Sequence, residues 1–103
     1  MIDLSGAGDA MLVVAIGRWN DSALAEVYRR HGGAVHGLAR RVLGSESRAE
    51  EITQDVFVDL WRRPEVFDPA RGSLRSFLLT VAHRRSVDVL RSEASRAARE
   101  QRS

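Results

Sequence analysis

The sequence predicts an all-α fold, a compact bundle of about four helices, and two observations lead there. Apolar residues recur at steps of three and four through most of the chain, whereas no stretch alternates with the period of a strand. The breaks between these periodic segments are short, which favours antiparallel helix neighbours. At 103 residues the chain is one small domain, and 44% hydrophobic with 29% charged residues is ordinary for a globular protein.

Residues 1–8, with Gly6 and Gly8 around Ala7, show no periodicity and read as a flexible tail. Asp9 is placed to cap a short helix from Ala10 to about Gly17, with Leu12, Ile16 and Trp19 facing inward. Trp19-Asn20-Asp21-Ser22 reads as a turn that ends in a helix cap. Leu24, Tyr28, His31, Val35, Leu38 and Val42 then follow the period of about 3.6 in the longest single pattern of the chain. Gly32 and Gly33 interrupt it at a cost of about 2 kcal/mol in helix propensity, so a bend or a close helix contact is expected there. Arg40 and Arg41 suit the negative end of the helix dipole, and Gly44 is placed to stop the helix.

Ser45 or Ser47 caps the next helix, Ser47 with Glu50 having capping-box spacing, and the helix runs to about Arg63 before Pro64. Ala49, Ile52, Val56 and Leu60 form one apolar stripe, which Phe57 and Trp61 widen beyond a single packing face. Glu51, Asp55 and Asp59 stack four apart on another side, with Gln54 and Val58 between. On spacing alone these are a core stripe and a solvated acidic face; the width of the pattern also suits a partner surface. Glu65 to Gly72 has no helical period and reads as a loop leading to a cap at Ser73. A last helix from Leu74 to about Arg91 puts Leu78, Val81, Ala82 and Val89 on one side, and Phe77, Arg84, Asp88 and Arg91 on a neighbouring one. Residues 92–103 keep helix formers but almost no large apolar side chain, and read as a basic helical extension or an interdomain linker.

Charge divides the chain. Residues 71–103 carry eight arginines against three acids, a net of +5, whereas residues 1–70 carry eight arginines against eleven acids, a net of −3. That asymmetry suggests two partners of opposite charge. Arg71, Arg75, Arg84, Arg85 and Arg91, interleaved with Ser73, Phe77 and His83, could follow a nucleic-acid backbone while planar groups stack on bases; a plain solvated face accounts for the same charge.

Catalytic chemistry is not indicated. The chain has no cysteine, which removes disulfides, thiolate catalysis and cysteine-based zinc sites, and suits a reducing cytoplasm. His31 and His36 are five apart, wrong for metal pairing on one helical face. Gly32-Gly33 lacks the lysine of a phosphate-binding loop, and neither an enzyme nor a cofactor is expected. No apolar run approaches the roughly 18 residues of a membrane span, so membrane insertion is not expected either.

The segment Ala49-Glu-Glu-Ile-Thr-Gln-Asp-Val-Phe-Val-Asp-Leu-Trp61 resembles the most characteristic helix of the second conserved region of extracytoplasmic-function sigma factors, in the sigma-70 family. Tyr28-Arg29-Arg30-His31 is similar to that family's first helix-pair motif. Phe67-Asp-Pro-Ala-Arg-Gly-Ser-Leu-Arg-Ser-Phe-Leu78 and Val81-Ala-His-Arg-Arg-Ser-Val-Asp-Val-Leu-Arg91 look like its promoter-melting and minus-ten-reading part. The likeness covers residues 9–91, in the right order. It implies a sigma region 2 bundle in which Gln54 and Asp55 contact the clamp helices of the RNA polymerase beta-prime subunit, joined by Glu51, Asp59 and Trp61 through helical proximity. It further implies that the loop from Phe67 through Asp68 and Arg71 to Ser73 bounds a pocket for a base flipped from the non-template strand of the promoter minus-ten element. Phe77, Arg84 and Asp88 would lie beside that strand. Two positions depart from the family's pattern, which often has Trp at Phe77 and Asn at Arg84. An anti-sigma factor is an implied further partner, and no second helix-turn-helix domain of the kind family members carry is visible after Arg91. A helical protein-interaction adaptor without DNA recognition is the rival reading.

Overall fold

A computed structural model describes residues 3–102 and places four α-helices among them: α1 (Asp9–Ile16), α2 (Asp21–Leu43), α3 (Glu46–Arg62) and α4 (Leu74–Arg102). Two 3₁₀ turns, Pro64–Val66 and Pro69–Arg71, connect the last two helices, and the described residues contain no strand. The all-α expectation therefore holds. α2 packs against each of the other three helices and is the spine of the bundle.

Its buried stripe is Ala23, Val27, His31, Val35, Ala39 and Leu43. The predicted stripe shares only His31 and Val35 with it; Leu24, Leu38 and Val42 are half-buried and Tyr28 is exposed. The reason is steric. Helices that approach closely leave room at the contact for alanine rather than leucine, so the small residues take the centre and the larger ones its margins. Asn20 caps the helix, its Oδ1 accepting the Ala23 N–H at 3.1 Å, and Gly44 ends it in the left-handed conformation at φ 68°.

α2 continues through Gly32 and Gly33, and the close approach there comes from its own Tyr28. A Cβ on Gly32 would stand 3.3 Å from the Tyr28 ring, which meets Phe57 of α3 edge-on with centroids 5.0 Å apart.

α1 departs from expectation at both ends. Gly8 occupies the cap position and no side chain caps the helix; the Asp9 carboxylate crosses to α2, where Oδ1 accepts from Arg30 Nη1 at 3.0 Å and Oδ2 lies 2.9 Å from His31 Nε2. A cross-helix ion pair has drawn the carboxylate away from its own helix end. Leu12 and Ile16 are buried, but Trp19 is 75% exposed. Its N–H bonds the Ile16 carbonyl as the chain reverses into α2, and the reversal puts Trp19 in the left-handed region at φ 63°, aiming the side chain outward. Of the segment read as a flexible tail, residues 1 and 2 lie outside the described residues. Leu4 and Ala7 pack against the core, and Arg30 Nη2 donates to the carbonyls of Leu4 at 3.3 Å and Ser5 at 2.9 Å.

Ser45, not Ser47, caps α3: its Oγ accepts the Arg48 N–H at 3.3 Å, and Ser47 bonds the Ser45 hydroxyl instead of forming a capping box. The Ala49, Ile52, Val56 and Leu60 stripe is buried as predicted, with Thr53 and Phe57 beside it. Ser73 caps α4 by accepting the Ser76 N–H at 3.1 Å. α4 buries Leu74, Leu78, Ala82 and Ser86; Ser86 tolerates burial because its hydroxyl donates to the Ala82 carbonyl at 2.8 Å. The helix runs unbroken to Arg102, so residues 92–102 are a solvated helical extension, while residue 103 lies outside the described residues.

The Glu26 carboxylate accepts from Arg29 at 2.6 and 3.0 Å and from Arg30 at 2.7 Å, and these hydrogen bonds, Arg29 first, hold its pKa at about 2 against an ordinary 4.5. A depressed carboxyl pKa contributes stability that is fully present above pH 4.5 and lost as pH falls through about 2. The stability difference between the protein and its Glu26→Gln variant, measured by urea denaturation, should be constant above that window and shrink within it.

Candidate polymerase and nucleic-acid interface

Burial of one side of α3 decides what its other side offers. With Ile52, Val56, Phe57 and Leu60 turned into the core, Glu51, Gln54 and Asp55 are exposed, and Val58 among them is 42% exposed. Asp59 is different. It is half-buried and pairs with Arg85 of α4, whose Nη1 also lies 3.8 Å from Asp55 Oδ2. Trp61, two turns beyond Gln54, is half-buried and meets Trp19 edge-on at 5.7 Å. These tryptophans flank an apolar groove of about 510 Å³ that Val14, Pro64 and Phe67 also line.

The loop is built around Phe67. Its ring is 8% exposed and tilts onto Phe77 at 5.5 Å, so Phe67 anchors the loop rather than standing free at its surface. Asp68 accepts the Ala70 N–H at 2.9 Å and thereby caps the short turn that contains Arg71. Gly72, at φ 150° and ψ −175°, takes a backbone conformation that L side chains rarely adopt and lets the loop enter α4. Ser73 is committed to its cap, while Arg71 is exposed.

The arginines of α4 divide into two kinds. Arg75 turns onto α2: Nε donates to His31 Nδ1 at 3.1 Å and Nη2 to the Arg30 carbonyl at 2.8 Å. Because Nδ1 accepts, the ring proton sits on Nε2 and points at Asp9, so one chain of hydrogen bonds ties α1, α2 and α4 together. Arg84 and Arg91 are exposed and enter no ion pair or hydrogen bond among the described residues. Arg84, Asp88 and Phe77 line a groove of about 390 Å³ between α3 and α4, with Asp59, Arg63, Val66 and Arg85 also in its walls and apolar side chains of both helices beneath them. His83, Arg91, Arg71 and Arg75 stand outside that groove, with His83 exposed beside it. No group of His, Cys, Asp and Glu among the described residues could hold a metal ion.

Sequence reasoning placed Arg85 with the basic surface and did not find its bond to the acids of α3, because the partners are 26 and 30 positions apart and only the packing of two helices joins them. It likewise missed Arg63 and the Asp9, His31 and Arg75 chain. Spacing carries no signal for such long-range pairs.

The profile of Sigma-70 region 2 matches residues 27–96, which takes in most of α2, the whole of α3, the loop and most of α4. The chain belongs to the sigma-70 region 2 family. Its relatives place it in the extracytoplasmic-function group. It is 46% identical over 80 residues to the ECF RNA polymerase sigma factor SigK of Mycolicibacterium vanbaalenii, covering 78% of this chain and 41% of that protein. Over 99 residues it is 41% identical to the SigK proteins of Mycobacterium bovis and Mycobacterium tuberculosis, covering 96% of this chain and 52% of theirs. The chain thus spans about half the length of the relatives it matches. Both faces described above lie inside the region 2 match, and α1 lies outside it.

The two kinds of arginine separate on stability. Arg75→Ala removes two interhelical hydrogen bonds and should cost about 1–2 kcal/mol in chemical denaturation, whereas Arg84→Ala should stay within about 0.5 kcal/mol of the parent. Equal losses would place Arg84 in the framework.

Proposed function

We propose that this region 2 domain takes part in bacterial transcription initiation, docking on the beta-prime clamp helices of core RNA polymerase through Glu51, Gln54 and Asp55 of α3, with Asp59 and Trp61 at the edge of the contact. It then holds the promoter minus-ten element as non-template single strand in the groove of Phe77, Arg84 and Asp88. The observation that carries this reading is the pairing of two unlike faces on adjacent helices: an exposed acidic and amide surface around Val58 on α3, and an open groove with an unpaired arginine and an aromatic ring on α4. An acidic surface suits a basic protein partner, and an arginine beside a ring suits a phosphate next to a base.

The energetics divide the work. Extruding a paired base costs a few kcal/mol and a good stack returns about 1–3 kcal/mol, so the domain alone melts duplex poorly and polymerase binding supplies the remainder. The loop from Phe67 through Asp68 and Arg71 to Ser73 bounds the flipped base; with Phe67 holding the loop, its exposed residues Asp68 and Arg71 and the backbone around Gly72 are the groups that reach it. Arg75 contributes by fixing α4 against α2, while His83 and Arg91 add to the positive field along the helix. The domain performs no nucleotide hydrolysis, works in the cytoplasm where the polymerase is, and exposes an acidic and apolar α3 surface that an anti-sigma factor can cover.

Binding to core polymerase or to the isolated clamp helices tests the docking arm. Asp55→Arg should weaken it by about tenfold or more with the fold intact, and unchanged affinity would remove Asp55 from the contact. For the nucleic-acid arm, Arg84→Ala should reduce binding of a promoter single strand by the assembled complex about fivefold, more at low salt than at high, while leaving core binding as it was. Equal affinity for promoter and scrambled strands would instead favour a protein-interaction adaptor.

A further inference from the structure

Arg85 lies at the seam of the two faces and touches both. From α4 it reaches across to α3, pairing with Asp59 through Nη2 and approaching Asp55 Oδ2 to 3.8 Å through Nη1. It also lines the groove that holds Phe77 and Arg84, and a second groove of about 410 Å³ on the side of Ile52, Asp55 and Arg96. Asp88 is the other residue common to the two grooves, and the charged groups that share them with Arg85 are Asp55, Asp59 and Arg63 from α3 and its end and Arg84, Asp88, Glu93 and Arg96 from its own helix. The backbone beneath it is anchored, since Ser86 is fully buried and bonded to the Ala82 carbonyl. The Arg85 side chain, by contrast, is 37% exposed and can rotate away from the acids without unpacking the core.

We infer that Arg85 is a latch between the two partner faces. In the free domain it offsets the charge of Asp59 and, more weakly, of Asp55, and is itself offset by them, which blunts both the acidic face and the basic groove. A basic partner group that takes over Asp55 and Asp59 releases Arg85, whose guanidinium then turns into the groove beside Arg84 and meets a phosphate of the bound strand. The coupling is reciprocal: docking strengthens strand binding by the same factor by which the strand strengthens docking. This deepens the docking reading and rests on it. Arg85 acts as a positioning residue, because its effect on docking passes through the two carboxylates.

The test is a mutant cycle with two probes, the isolated beta-prime clamp helices and a short fluorescein-labelled single-stranded oligonucleotide, each titrated at low salt. Arg85→Gln should bind the clamp helices about three- to fivefold tighter than the parent, the range open to partly exposed ion pairs. The gain should vanish in an Asp55→Asn, Asp59→Asn background, and Arg85→Lys should restore parental affinity. With the oligonucleotide, Asp55→Asn, Asp59→Asn should raise affinity more in the presence of Arg85 than in the Arg85→Gln background, by a similar factor. Loss of a purely structural ion pair lowers the melting temperature, and removal of one positive charge beside an acidic face draws a basic partner in either background; a gain that persists in the Asp55→Asn, Asp59→Asn background therefore overturns the latch. If the parent binds the clamp helices and Arg85→Gln binds them no tighter, the latch is overturned and the docking reading stands. If the parent does not bind them, both fall.

Discussion

Every other helix of this domain is placed by the narrow stripe of α2. Ala23, Val27, Val35 and Ala39 are solvent-free, and α1, α3 and α4 all pack on the same spine. Such close packing favours small side chains at Ala23 and Ala39, and it leaves little freedom in how the neighbours lie. His31 sits in that stripe and extends the constraint from shape to polarity, because a buried imidazole must satisfy both ring nitrogens. Asp9 and Arg75 meet that need from α1 and α4, and in doing so set where those helices begin relative to α2.

The two candidate surfaces follow from this arrangement. Once α3 turns Ile52, Val56 and Leu60 onto the core, Glu51, Gln54 and Asp55 can only point outward. Once α4 buries Leu74, Leu78 and Ala82, Arg84 and Asp88 stand at the edge of the cleft between the helices. The acidic face and the basic groove are therefore neighbours across one seam, and a charge at that seam belongs to both. Arg85 occupies it, and in the latch proposed above the coupling between protein partner and nucleic acid is a matter of one side chain's pairing rather than a rearrangement of the bundle.

The loop between α3 and α4 shows the same economy. Its buried member is the Phe67 ring, held under the chain by Phe77, and two of its polar members, Asp68 and Ser73, are spent on local caps. A segment short of regular structure is thus held in one shape by two rings in tilted contact, two caps and one glycine, which suits the binding role proposed for it.

Read alone, the chain was enough to establish its helical class, the inward stripe of α3, the outward placing of Gln54 and Asp55, and the stops at Gly44 and Pro64, because periodicity and local caps act within a few residues of each other. Motif order also carried the family, since both motifs lie inside the matched span. Tertiary structure decided what depends on distance along the chain. It moved the buried stripe of α2 toward its alanines, took Asp9 from its helix end to His31, turned Trp19 outward, and divided arginines of one basic surface into a framework residue at Arg75, an ion-paired side chain at Arg85 and a free cation at Arg84. An arginine looks the same in sequence whether its partner is a carboxylate 26 positions away, an imidazole 44 away or solvent; only the packing of the helices brings one of these within reach.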